Sequence, residues 1–96
     1  MKILYTSATH IRERSHEVRI YEIDGKKFKV TYEAYNASEK CNTEIFDGYK
    51  WNHFLSMMDM AEVPDTSRYI LSEEKRRLKA DTLIEKAKVI AKKILS

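Results

Sequence analysis

The chain predicts an α+β fold: a small antiparallel sheet built on a hairpin at residues 16–36, covered by a short helix at about 49–62 and a long one at about 73–95. Three observations carry this reading. "SEEKRRLKADTLIEKAKVIAKKILS", from Ser72, contains neither Gly nor Pro and repeats its apolar residues at helical steps. "HEVRIYEIDGKKFKVTYEAY" sets two β-branched and aromatic runs around an Asp-Gly pair. Only two Gly and one Pro occur in 96 residues, with no low-complexity tract, so residues 1–96 read as a single domain.

In the last segment Ala80, Leu83, Ile84, Ala87, Ile90, Ala91, Ile94 and Leu95 share one helix face. Ser72 is a natural N-cap, Glu73 and Glu74 sit at the positive helix end, and Lys92 and Lys93 at the negative end. A helix of this length spans about 35 Å. Its Leu83/Ile90/Ile94 stripe covers the hairpin, with packing on a second copy to form a homodimer as the alternative.

The hairpin admits two registers. A two-residue Asp24-Gly25 loop would set Ile20 opposite Lys29 and Val18 opposite Thr31. A three-residue loop, Ile23-Asp24-Gly25, pairs Ile20 with Phe28, Val18 with Val30 and Glu22 with Lys26. Side-chain matching favours the three-residue loop. Val18, Ile20, Phe28, Val30 and Tyr32 then form the buried face, and Arg19, Tyr21, Lys27, Lys29 and Thr31 the outer one.

"KILYT" and "TEIF" are candidate additional short strands, "SATHIRERSH" reads as a polar loop or a frayed turn, and Pro64 breaks the chain before the long helix. Residues 49–60 fail an alternation test but sort by helical period. Trp51, Phe54, Leu55, Met58 and Ala61 fall on one side, and Asn52, His53, Ser56 and Asp59 on the other. Met57, Met58 and Met60 then serve as core filler or soft contact surface rather than part of a cofactor box.

Chemistry-bearing motifs are scarce. His10, His16, His53 and Cys41 lack the spacing of a zinc site, so no metal is expected. No phosphate-binding Gly loop or nucleophile elbow occurs, which leaves no catalytic residues and no cofactor to name. Cys41, in the polar stretch "ASEKCN", is a free thiol or a small apolar residue. One Cys excludes an internal disulfide and suits a reducing compartment. The first residues carry no apolar signal segment and no run approaches a membrane span, so a cytoplasmic, non-membrane protein is expected. The "NAS" sequon at Asn36 then has no role.

Net charge is +3, and residues 72–96 hold eight Lys/Arg against four acids while the first 71 hold ten against eleven. The function expected from this is non-enzymatic binding to another protein, as a small adaptor or inhibitor. Its contact surface combines the outer hairpin face (Arg19, Tyr21, Lys27, Lys29) with the basic start of the helix (Arg76, Arg77, Lys79), since Tyr and Arg are enriched at binding hot spots. The alternative is direct nucleic-acid binding by the same surface, with Arg12, Arg14 and Lys75 adding charge and Tyr21 stacking on bases. In size and make-up the chain resembles the small single-domain accessory proteins of bacteriophages, many of which act by binding and inhibiting a host protein. That likeness covers no motif and carries over no residue.

Overall fold

A computed structural model of the chain describes residues 1–35, 38–55 and 73–95. The fold is α+β. Five antiparallel strands run as a meander in the order β1 (Lys2–Ile11), β2 (Arg14–Ile23), β3 (Lys26–Tyr35), β4 (Ser38–Phe46) and β5 (Trp51–His53), and one helix, α1 (Glu73–Leu95), packs on one face.

The hairpin register decides which face is which. β2 and β3 join through a two-residue turn, with Ile23 paired to Lys26, Tyr21 to Phe28 and Ile20 to Lys29. Asp24 and Gly25 have φ of 49° and 80°, the two positive angles that let a tight turn follow the strands' right-handed twist. This corrects the three-residue loop. Ile23 leaves the loop and joins the strand, so the faces of β2 exchange. Tyr21 and Ile23 point inward with Phe28, Val30, Tyr32 and Ala34, while Val18 and Ile20 turn to the far face. Matching apolar pairs one by one missed that β2 carries two apolar sets: Val18 and Ile20 on one side, Tyr21 and Ile23 on the other.

Two further expectations change. "SATHIRERSH" is not a loop: β1 extends to Ile11 and β2 begins at Arg14 around the turn Arg12-Glu13. Polar residues are tolerated in β1 because it is an edge strand and exposed along most of its length. The expected short helix is absent over its described part, because Trp51–His53 pair with Glu44–Phe46 as β5. Phe46 and Trp51 pack against each other across that pair, ring centroids 5.2 Å apart and planes inclined at 52°. Phe54 and Leu55 then continue beside β4: Leu55 N–H donates to Thr43 Oγ1, which in turn donates to the Leu55 carbonyl. Residues 56–62 of the expected helix, with Met57, Met58 and Met60, lie outside the described residues, as do Asn36, Pro64 and the proposed cap Ser72.

The core lies between β2–β4 and α1. Ala80, Ala87 and Ala91 are fully buried where the helix crosses the sheet, and the sheet answers with the large side chains of Tyr21, Phe28 and Tyr32. Small helix residues let the backbone approach, and each aromatic buried beneath them contributes about 1.5–3 kcal/mol. Leu83 and Ile84 fill the flanks, Ile90 packs at the margin, and Ile94 is exposed. Leu83 and Ile90 therefore cover their own sheet while Ile94 does not, and Leu83 is not free to pack on a second copy.

The turn geometry gives a direct test. Asp24→Ala places a side chain that cannot hydrogen-bond locally at positive φ, so urea unfolding followed by Trp51 fluorescence should show a loss of about 1–2 kcal/mol. Asp24→Asn should stay within about 0.5 kcal/mol of the parent. A three-residue loop would hold Asp24 at negative φ and make both changes neutral.

Candidate binding surface

Two polar constellations emerge, one on each side of the sheet. On the helix side, β1 and β2 converge on a buried cluster. His10 Nδ1 lies 2.9 Å from Ser15 Oγ, and His10 Nε2 lies 2.9 Å from Glu17 Oε1. Arg19 donates from Nε to Glu17 Oε2 at 2.8 Å and from Nη2 to Asp81 at 2.8 Å. Burial opposes its charge, but hydrogen bonds with Asp81, Tyr21 and Glu17 outweigh that and hold the guanidinium protonated beyond its ordinary range. Arg76 reaches in from α1, donating from Nε to Ser15 Oγ at 2.7 Å and from Nη2 to the carbonyls of Ile11 and Arg12.

Serine, histidine and glutamate in mutual contact invite comparison with a hydrolytic triad, but the atoms differ. Ser15 meets Nδ1 and Glu17 meets Nε2, the reverse of the familiar arrangement. Ser15 is 1% exposed and its Oγ already accepts from Arg76. The hydroxyl is held inside the core rather than presented to a substrate. A few residues away, Tyr32 O–H donates to Glu39 Oε2 at 2.5 Å, and Lys79 stands 3.9 Å from Glu39 Oε1. Burial, then Glu39, push the Tyr32 phenol far above its usual range. The same two causes raise the Cys41 thiol to about 12, so it remains protonated. Cys41 is not in a polar turn: it lies within β4, facing the core. Among the described residues, no three His, Cys, Asp or Glu side chains stand together as a metal site.

The expected contact residues are dispersed by this arrangement. Tyr21 is buried at 2% exposure and Arg76 at 0%, so neither faces solvent. Arg19 lies beneath the helix with Glu17 and Asp81. Lys79 turns toward Glu39, and Arg77 is exposed but paired with Glu73 one helical turn earlier. Only Lys27 and Lys29 remain on the outer hairpin face, and the basic start of α1 is on the opposite side of the sheet from them. The composite surface does not form. Its premise was the three-residue loop, and the register shift in β2 removed it.

The face of the sheet away from α1 carries the alternative. At the β2–β3 turn end, Lys29 Nζ sits 4.4 Å from the centre of the Trp51 ring and 3.5 Å from Glu44, and Lys27 Nζ sits 5.3 Å from the centre of Phe46. Val18 and Ile20 are half-buried in the middle, and Tyr5, Ile11 and Tyr35 are more than half exposed. At the far end Thr9, Arg14, His16, Glu33, Tyr35 and Lys40, with backbone neighbours Ser15 and Ala34, line a cleft of about 480 Å³. Glu33 lies between two bases there, 3.5 Å from His16 and 3.4 Å from Lys40.

The rim beside Trp51 is fixed by Asp47. Its carboxylate accepts from the backbone N–H groups of Tyr49 and Lys50 and from Asn52, each at 2.8 Å. Gly48, at φ 96°, supplies the bend.

Comparison with known proteins adds no relative: no family model matches the chain, and no significant match is found among curated proteins or solved structures.

The bonds from Lys50, Asn52 and Tyr49 hold the Asp47 carboxyl below its ordinary value of 3.8. A depressed folded pKa means that its contribution is complete above the unfolded value and is lost as pH falls through the folded one. Trp51 emission should therefore stay constant down to about pH 4 and change only below it. Asp47→Ala should shift the emission at neutral pH, and an unchanged spectrum would show that the carboxylate does not organise this rim.

Proposed function

We propose that the protein is a non-enzymatic binding protein, an adaptor or inhibitor, that engages another protein through the sheet face opposite α1. The observation supporting this is the composition of that face. Tyr5, Ile11, Val18, Ile20, Tyr35 and Trp51 project from it although the core is closed on the other side of the sheet. Aromatic and aliphatic centres ringed by polar groups are the make-up of protein interfaces.

Charge favours a protein over a nucleic acid. Lys29 is matched by Glu44 and Lys40 by Glu33. A phosphate backbone would meet three carboxylates on this face, Glu22, Glu33 and Glu44, and would have to displace those pairs. A protein surface bearing both signs can exchange with them.

The test combines capture with salt dependence. A photo-crosslinking residue at position 27 should trap a protein in extracts of the native host. Tyr35→Ala should weaken binding of that protein by roughly 1–2 kcal/mol, about tenfold or more in Kd. Arg77→Ala, on the exposed side of the helix, should leave it unchanged. Oligonucleotides should not quench Trp51 at low salt. Quenching that disappears between roughly 50 and 200 mM salt would establish phosphate recognition instead.

A further inference from the structure

Among the described residues, β1 is the long edge of the sheet with one side unpaired. It contributes ten residues, pairs on one side with β2, and ends the strand order. The opposite edge is guarded differently: β5 has three residues, and Phe54 and Leu55 bond to Thr43 beside it. Edge strands are ordinarily protected by charge, Pro, bulges or brevity. β1 has an irregularity between Ile3 and Tyr5 and a charge at Lys2, but from Tyr5 to Ile11 it is regular and bears no Lys, Arg, Asp or Glu.

The two-residue turn at Arg12-Glu13 makes Ile11 and Arg14 the first hydrogen-bonded pair. Alternate residues Ile11, Thr9, Ser7 and Tyr5 therefore bond to β2, and His10, Ala8 and Thr6 direct their backbone N–H and C=O groups to the open edge. α1 lies chiefly over β2 and β3, and Thr6 and Ala8 are exposed on its side of the sheet.

We infer that β1 pairs antiparallel with β1 of a second copy, with Ala8 on the two-fold axis. The strand is self-complementary in that register. Ala8 faces Ala8 of the other copy in a hydrogen-bonded pair, Thr6 faces His10, Ser7 faces Thr9, and Tyr5 faces Ile11. The centre is small, so among the described residues the backbones meet without obstruction, and no like charges oppose one another within the paired segment. Tyr5 and Ile11 are 52% and 53% exposed in the single chain, lie on the same sheet face, and each covers the other across the junction twice by symmetry. The product is a continuous ten-stranded sheet with both helices on one side. The two binding faces merge on the other, whatever they bind.

Sedimentation or light scattering over a concentration series reads the association directly, and the parent chain should form a dimer. Ala8→Pro removes an N–H that β2 does not use and costs both central hydrogen bonds of the junction. It should weaken the dimer by about tenfold or more with an unchanged circular dichroism spectrum. Ala8→Cys brings two thiols to a Cα separation of about 5.5 Å, within disulfide range, and should cross-link on mild oxidation where Val89→Cys, on the outer helix surface, does not. A parent chain that stays monomeric throughout overturns the inference. So does a dimer in which Ala8→Cys cross-links no faster than Val89→Cys, a result that remains decisive if Ala8→Pro fails to fold.

Discussion

Arg76 enters from the first turns of α1, passes wholly out of solvent, and ends on the β1–β2 turn. Its guanidinium bonds Ser15 Oγ and the carbonyls of Ile11 and Arg12. Taking a guanidinium out of water costs several kcal/mol unless its donors are matched. Here the matching groups come from one tight turn and the strand that follows it. The helix can therefore sit on the sheet at one axial position, because a slide of one turn would leave the charge buried without acceptors. Farther along, the interface is apolar and would tolerate small shifts: Ala80, Ala87 and Ala91 against Tyr21, Phe28 and Tyr32. The polar end sets the position and the apolar end supplies most of the stabilisation.

The network extends outward as a continuous chain of polar contacts. Arg76 meets Ser15, Ser15 meets His10, His10 meets Glu17, Glu17 meets Arg19, and Arg19 returns to α1 at Asp81. The helix is thus tied to the sheet at two points along its length. This arrangement explains why the start of α1, rich in Lys and Arg, is not a basic contact patch. Its central arginine is consumed by the fold and Lys79 faces a buried carboxylate. The face proposed for binding is the opposite one, where charges are paired across strands and aromatics stand among them.

Much of this was legible in the sequence, and the failures have specific causes. The bounds of α1 are legible, because 23 residues of helical period without Gly or Pro favour no other regular structure. Arg76 lies four residues before Ala80 and so belongs to the buried stripe by spacing, but its charge argued for solvent and prevailed. Its partners Ile11 and Arg12 contribute only backbone carbonyls, which no side-chain pattern announces. His10, Ser15 and Glu17 flank a turn within a stretch whose polar composition reads as loop; once Ile11 and Arg14 pair, His10 faces Ser15 across it. The exchange of faces in β2 turned on a single residue of loop length, since with a period of two each slip moves every side chain to the other side. β5 is three residues long, too short for alternation to outweigh the helical spacing of Trp51, Phe54 and Leu55.

The claim that Arg76 positions the helix through the β1–β2 turn is tested most directly by a double-mutant cycle between Arg76→Met and Ser15→Ala, with stability measured by urea unfolding. Methionine keeps much of the buried volume and removes the donors. The account predicts that each single change is destabilising and that the two are coupled by about 1 kcal/mol or more, since the second change removes a partner already lost. Strict additivity, within about 0.3 kcal/mol, would contradict it and would mean that α1 is held by its apolar face alone.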